Sequence, residues 1–173
     1  MSPSVTVPTE TQIEDLVATF YARIRKHPSL GPIFARVIGD DWTPHLKVMC
    51  DFWSSVMLTT GRYKGRPIPA HVRINDPRIN QQQDGMIEPP LIQPVHFAEW
   101  LSLFEATAKE LFAPDLAASF VEKAKRIAES LKLGFAFHSP TPEIWANVPP
   151  RAIPQSVVKG PVVKGATVKP SAS

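Results

Sequence analysis

The stretch that decides the fold is residues 43–60, which read TPHLKVMCDFWSSVMLTT. Thr43 and Pro44 form a cap and first-turn pair that favours the start of a helix. Apolar side chains then recur every three or four residues as far as about Thr60 and Gly61, as on one face of a helix. The stripe consists of His45, Val48, Met49, Phe52, Trp53 and Val56. Because His45 heads this apolar face, we predict that its imidazole points into the protein.

Two helices are predicted on the amino-terminal side of this stretch. Thr9 can cap the first helix together with Gln12, three residues further on. Apolar residues follow at helical spacing until His27-Pro28, where the proline ends the helix. A second, shorter helix is predicted over residues 32–38, between a Gly-Pro pair and a glycine.

The carboxyl-terminal half is predicted to hold two longer helices after a proline-rich interval. Residues 65–94 include six prolines and a run of three glutamines, so at most one short helix, around residues 70–73, is expected there. Pro94 opens an apolar helix, Pro114 breaks it, and a last amphipathic helix starts at Asp115. No segment alternates at period two, so we predict an all-α fold.

The last 35 residues differ in composition from the rest of the chain. Seven of the 19 prolines lie in residues 139–173, and the unit Val-Val-Lys-Gly occurs there twice. Such low-complexity sequence predicts a disordered basic tail after a folded domain of residues 1–138. Ile144-Trp145 is the one apolar spot of this tail, and we expect it to pack back on the domain rather than to dock a partner.

Charge and composition exclude several classes of protein. The formal net charge of +3 comes from the tail, and elsewhere basic and acidic residues are equal in number, so nucleic-acid binding is not indicated. Cys50 is the single cysteine, which excludes an internal disulfide framework and a thiolate metal cluster. No targeting pattern opens the chain, and no apolar run approaches the ~18 residues of a membrane span. We therefore expect a cytoplasmic protein.

Two of the five histidines have settings that suit a cofactor. His45 heads an apolar helix face, and His71 follows Pro67 and Pro69 in a short, rigid segment. An iron porphyrin needs one imidazole to coordinate the metal and a second polar group near the bound gas, within apolar walls. Two core histidines bonded to backbone carbonyls are the simpler interpretation of the same residues.

The order of aromatic and histidine residues resembles that of the truncated, two-on-two globins, and the third group of that family above all. The resemblance covers about residues 13–137 and consists of many weak signals in a fixed order, which is more specific than any single motif. These signals are Phe20-Tyr21, Gly31-Pro32-Ile33-Phe34, Trp42 with His45, Phe52-Trp53, Tyr63 with Gly65 and Pro67, Ala70-His71, and His96-Phe97 with Trp100-Leu101 and Leu103-Phe104. The resemblance implies a two-on-two helical sandwich.

The resemblance also implies a haem b cofactor, iron protoporphyrin IX, with His71 as the proximal iron ligand. Tyr21, His45 and Trp100 would line the distal pocket, and His96 is the alternative iron ligand. Apolar haem or core contacts would come from Phe20, Phe34, Met49, Phe52 and Trp53. The arginines that could pair with haem propionates are Arg66, Arg73 and Arg78.

One feature departs from the family pattern. His71 and Trp100 are 29 residues apart, a longer link than the family usually has. The excess falls at about residues 75–92, whose polar, proline-punctuated sequence predicts a long surface loop before the penultimate helix.

Three functions from different classes remain open at this point. The leading one is a haem globin that reversibly binds a diatomic gas such as oxygen, nitric oxide or carbon monoxide. The second is a haem enzyme that removes nitric oxide or peroxide and depends on a reductase. The third is a haem-free helical interaction or sensor module.

Overall fold

A computed structural model describes residues 7–76, 92–138 and 145. Its α-helices are α1 Glu10–Lys26, α2 Leu30–Ile38, α3 Thr43–Leu58, α4 Pro67–Val72, α5 Pro94–Leu111 and α6 Pro114–His138, and a 3-10 turn, Arg73–Asn75, continues α4. These residues contain no strand, so the predicted all-α class is confirmed. None of these helices is both long and apolar enough to cross a membrane. Most of the predicted 75–92 loop, and the 139–173 tail apart from Trp145, lie outside the described residues.

Local sequence explains where the first helices begin and end. The hydroxyl of Thr9 accepts the Gln12 N–H at 3.2 Å, and the Gln12 side-chain oxygen accepts the Thr9 N–H at 2.9 Å, so the predicted capping box is confirmed. Gly39 ends α2 with a φ of 78°, a backbone region that glycine enters without steric cost. At α3 the prediction was wrong in detail: Thr43 is the first helical residue, and its N–H is capped by the Asp41 carboxylate at 3.0 Å.

Three helices begin earlier than the sequence predicted. α2 begins two residues sooner, at Leu30, α4 three sooner, at Pro67, and α6 one sooner, at Pro114. Proline lacks an N–H, yet the first turn of a helix needs none, so proline fits inside these first turns. Val48 is a further correction to the predicted stripe of α3, because it is 43% exposed.

The helices form two pairs that cross. α1 packs against α3, α5 packs against α6, and α1 also contacts α5, so the two-on-two globin sandwich is confirmed. The core lies at the crossing, where Trp53 of α3 stacks on Phe104 of α5 with ring centroids 4.9 Å apart. Burial of each such ring contributes roughly 1.5–3 kcal/mol. The face that α1 buries comprises Ile13, Leu16, Val17, Phe20, Tyr21 and Ile24.

The short helix α4 lies against α6 at Gly134. A Cβ atom at position 134 would overlap the Cγ2 of Ile68 and would lie 3.7 Å from the Cγ2 of Val72. Only a residue without a side chain therefore allows α4 to approach this closely. The contact matters for the site because α4 also carries His71.

Asn75 joins the two ends of the long link between α4 and α5. Its side-chain NH₂ donates to the Ile92 carbonyl at 2.7 Å, and its side-chain oxygen accepts the Ile92 N–H at 2.9 Å. Asn75 is buried, so both of these hydrogen bonds are shielded from competing water. The chain thus leaves the helical body and returns to it at neighbouring points, and α4 and α5 keep their positions.

Candidate functional site

A largely apolar cavity lies between the two helix pairs, with walls from all six helices and from residues between them. Eight of the ten predicted site residues line it: Tyr21, Phe34, His45, Met49, Phe52, Trp53, His71 and Trp100. Phe20 is buried in the core, and Arg73 is exposed on the 3-10 turn; neither lines the cavity. Arg66 is also exposed, and Arg78 lies outside the described residues.

Of the remaining wall residues, sequence reasoning proposed only His96, as the alternative iron ligand, and it missed the others. The further lining side chains are Leu30, Ile33, Tyr63, Pro67, Ile92, His96, Phe97, Ile127, Ala128 and Leu131. Tyr63 had a signal, since it belongs to the ordered pattern that carries the family resemblance. The α6 residues had none, because their helical spacing is the same for a side chain packed in a core and for one that faces a cavity.

His71 presents an unprotonated ring nitrogen. Its Nδ1–H donates to the Pro67 carbonyl at 2.7 Å, one helical turn back. Burial lowers the pKa of His71, although the bond to Pro67 partly opposes this, so the imidazole is neutral at physiological pH. A neutral imidazole with its proton on Nδ1 keeps a lone pair on Nε2, the form that binds a metal. The bond to Pro67 is also the kind of outer contact that orients a metal-binding histidine.

His96 has the opposite arrangement. Its Nδ1 accepts the Gln93 N–H at 3.0 Å as part of the cap of α5. Burial lowers the pKa of His96, against an opposing influence from Glu99. A neutral ring that accepts at Nδ1 carries its proton on Nε2, which leaves no lone pair there for a metal. The hydrogen bonds therefore favour His71 over His96 as a ligand.

His45 and Tyr21 meet on the cavity wall. Their ring centroids are 5.1 Å apart in an edge-to-face arrangement. The Nε2 of His45 is buried and has no hydrogen-bond partner within the described ranges. Burial, and next the proximity of a second ionisable imidazole in His71, lower the pKa of His45. A buried ring nitrogen without a partner is costly, and on a cavity wall a bound guest can supply that partner.

Tyr21 and Trp100 add two groups that can donate hydrogen bonds. Burial, and to a lesser extent Cys50, raise the pKa of Tyr21, so its hydroxyl stays protonated. Trp100 stacks on Phe104 at 5.3 Å and meets Phe20 edge-on at 5.5 Å. These aromatic neighbours restrict the orientation of the indole. The cavity thus combines apolar walls with a few fixed polar groups, as ligand sites usually do.

The chain is similar to known proteins in sequence and in fold. Group 3 truncated hemoglobin ctb of Campylobacter jejuni is 29% identical over 122 residues, which cover 69% of this chain and 84% of that protein. The crystal structure of group III truncated hemoglobin from Campylobacter jejuni matches with a TM-score of 0.60 and 27% identity, over 72% of this chain and 88% of that one. This chain is thus similar to group III truncated haemoglobins in both sequence and fold. No protein-family model matches it.

Similarity to the truncated haemoglobins implies a haem cofactor, and the cavity of this globin-like fold suits one. A single imidazole with a free Nε2 suits an iron atom whose remaining protein-independent ligands a macrocycle would supply. The buried, unpartnered Nε2 of His45 leaves a polar contact for a guest. Aromatic and aliphatic walls suit the flat, apolar body of a porphyrin. The predicted resemblance to group III truncated haemoglobins is confirmed, and so is the predicted fold.

Proposed function

We propose that this globin holds haem b through Nε2 of His71 and binds a diatomic gas reversibly. The observation that carries the proposal is the hydrogen bond from His71 Nδ1–H to the Pro67 carbonyl, which leaves Nε2 free within the cavity. Oxygen, nitric oxide and carbon monoxide are the gases of suitable size and chemistry. Arg66 and Arg73, which flank α4 and are exposed, are positioned in sequence to pair with the propionate groups at the cofactor edge.

The polar groups of the cavity would determine how tightly the gas is held. Bound haem supplies an iron atom with a coordination position open to a diatomic ligand. Tyr21 keeps its proton and offers an O–H donor, and Trp100 offers an indole N–H. Within apolar walls, where water does not compete, such donors hold a polar ligand more strongly than they would in solvent. His45 contributes the third polar contact through its unpartnered Nε2.

Replacement of the two rival histidines tests the iron ligand. We expect His71→Gly to lower haem retention at least about 10-fold, because it removes the imidazole whose hydrogen bond to the Pro67 carbonyl leaves a lone pair on Nε2. Added imidazole should restore the Soret band in this variant, since it can enter the space that the side chain leaves. His96→Ala is the matched control and should retain haem. Equal retention in the two variants, measured by pyridine haemochrome assay, would show that His71 is not the ligand.

A further inference from the structure

Trp145 belongs to the folded core although it lies beyond the last helix. It is 2% exposed, and its ring stacks on that of Phe135 with centroids 5.1 Å apart and planes 8° apart. It also meets Phe97 at 6.1 Å in an edge-to-face contact. The expectation that Ile144-Trp145 packs back on the domain is therefore confirmed for Trp145.

Trp145 completes a second hydrophobic cluster, distinct from the core at the crossing of the helix pairs. Its buried members are Phe97, Ala128, Leu131, Phe135 and Trp145. Phe97, Ala128 and Leu131 also line the cavity, whereas Trp145 does not. The indole thus lies behind the cavity wall and supports the side chains that form it.

The same cluster reaches the helix that carries the ligand. Ile68 and Val72 of α4 pack against it, and they lie three residues before and one residue after His71. Through this packing the cluster joins α4 to α6, across the close contact at Gly134. A loss of volume at Trp145 would loosen the support of the wall and of α4 together.

Within the described residues, no hydrogen bond from the indole nitrogen of Trp145 contributes to this support. Its Nε1 is buried and has no hydrogen-bond partner in the described part of the chain. Burial of an unpaired N–H is unfavourable, so the indole stays in place through the size and shape of its rings. A phenyl ring should therefore replace most of its function, and this gives a conservative variant for the test.

We propose that Trp145 is a positioning residue for the haem site. From a segment outside the six helices, it braces Phe97 and Phe135 and thereby holds α4 and the imidazole of His71 in place. This inference rests on the proposed function, because it concerns the retention of haem. It assigns a role to the sequence that follows the globin helices.

Haem transfer to an excess of apomyoglobin measures the proposed effect. We expect Trp145→Ala to lose haem roughly 10-fold faster than the unmodified chain, since a large cavity is left behind the wall. Resonance Raman spectra of the reduced, haem-loaded variant should show a shifted or broadened iron–histidine stretching band. Trp145→Phe should restore both the rate and the band. Phe137→Ala is the matched control, because Phe137 lies on α6 but is 66% exposed; it should change neither.

The outcomes separate this proposal from the proposed function. If the unmodified chain takes up no haem, the proposed function fails. If it takes up haem but Trp145→Ala has an unchanged rate of haem loss and an unchanged iron–histidine band, the Trp145 proposal alone is overturned, even if the thermal midpoint falls. Should Trp145→Ala fail to fold, Trp145→Leu keeps more volume and is judged by the same two measurements. A chain ending after Ala146 keeps the indole and should retain haem normally.

Discussion

Replacement of Gly134 by alanine tests whether α6 sets the position of the ligand helix. The new methyl group would overlap the Cγ2 of Ile68, a branch fixed directly to Cβ. The overlap cannot be relieved by the swing of a long side chain, so Ile68 must leave its rotamer or α4 must move. A shift of α4 would displace His71, three residues further along the same short helix.

Two opposing terms determine the effect of Gly134→Ala on stability. Alanine is favoured over glycine inside a helix by about 1 kcal/mol. Overpacking of a close contact costs about 1–3 kcal/mol. The net loss in the free energy of unfolding should thus be about 0–2 kcal/mol. We expect Gly134→Ala to affect haem retention more than stability. The site depends on the position of α4, whereas the core at the helix crossing does not depend on it.

Urea unfolding of the haem-free protein measures the free energy of unfolding, and haem transfer from the loaded protein measures haem retention. Ile68→Ala removes the obstructing methyl group, so it should partly rescue Gly134→Ala in a double-mutant cycle. We expect a favourable coupling of about 1 kcal/mol or more, compared with the 0.5–3 kcal/mol typical of residues in contact. Additive effects, or haem loss that only follows the change in stability, would refute the argument that Gly134 positions α4.

Two further predictions concern the polar groups of the cavity. In the haem-loaded protein, Tyr21→Phe and Trp100→Phe should each speed oxygen dissociation by roughly 10-fold to 150-fold, because each removes a donor worth about 1.5–3 kcal/mol to a charged acceptor. Stopped-flow rates that stay within about twofold in both variants would exclude this role, and carbon monoxide, a weaker acceptor, should respond less. In the haem-free protein, burial lowers the pKa values of His45 and His71, so the unfolded chain binds more protons than the folded chain. The free energy of unfolding should therefore fall as pH drops through about 6.5. A denaturation midpoint that is flat from about pH 7.5 to 5 would contradict this linkage, and His45→Leu should reduce the slope.

Helical class and much of the site follow from local sequence patterns. The cap formed by Thr9 and Gln12 needs only two side chains three residues apart, so the start of α1 was predictable. His45 and Met49 reach the cavity because they share one face of α3, and helical period alone specifies that face. These predictions succeeded because each depends on residues within one or two turns.

The remaining features depend on contacts between distant segments. Adjacent residues Phe20 and Tyr21 look alike in sequence, yet one is buried in the core and the other lines the cavity, because α1 is covered on several sides. The choice between His71 and His96 depends on which backbone group meets each Nδ1, and composition does not encode this. The packing of Trp145 on the domain was predicted from its apolar character, but its stacking partner Phe135 was not, because the partner lies on another segment of the chain.

The shortness of α4 has a consequence for how a cofactor enters. Six residues are too few to form a stable helix alone. Its order must come from its contacts with α6, so we expect α4 to detach in local opening events while the two helix pairs stay folded. Such an opening would admit a broad, flat molecule without global unfolding. The face of α6 that contacts α4 would then control how often the cavity opens. The rate of cofactor loading could therefore change without any change in the core at the helix crossing.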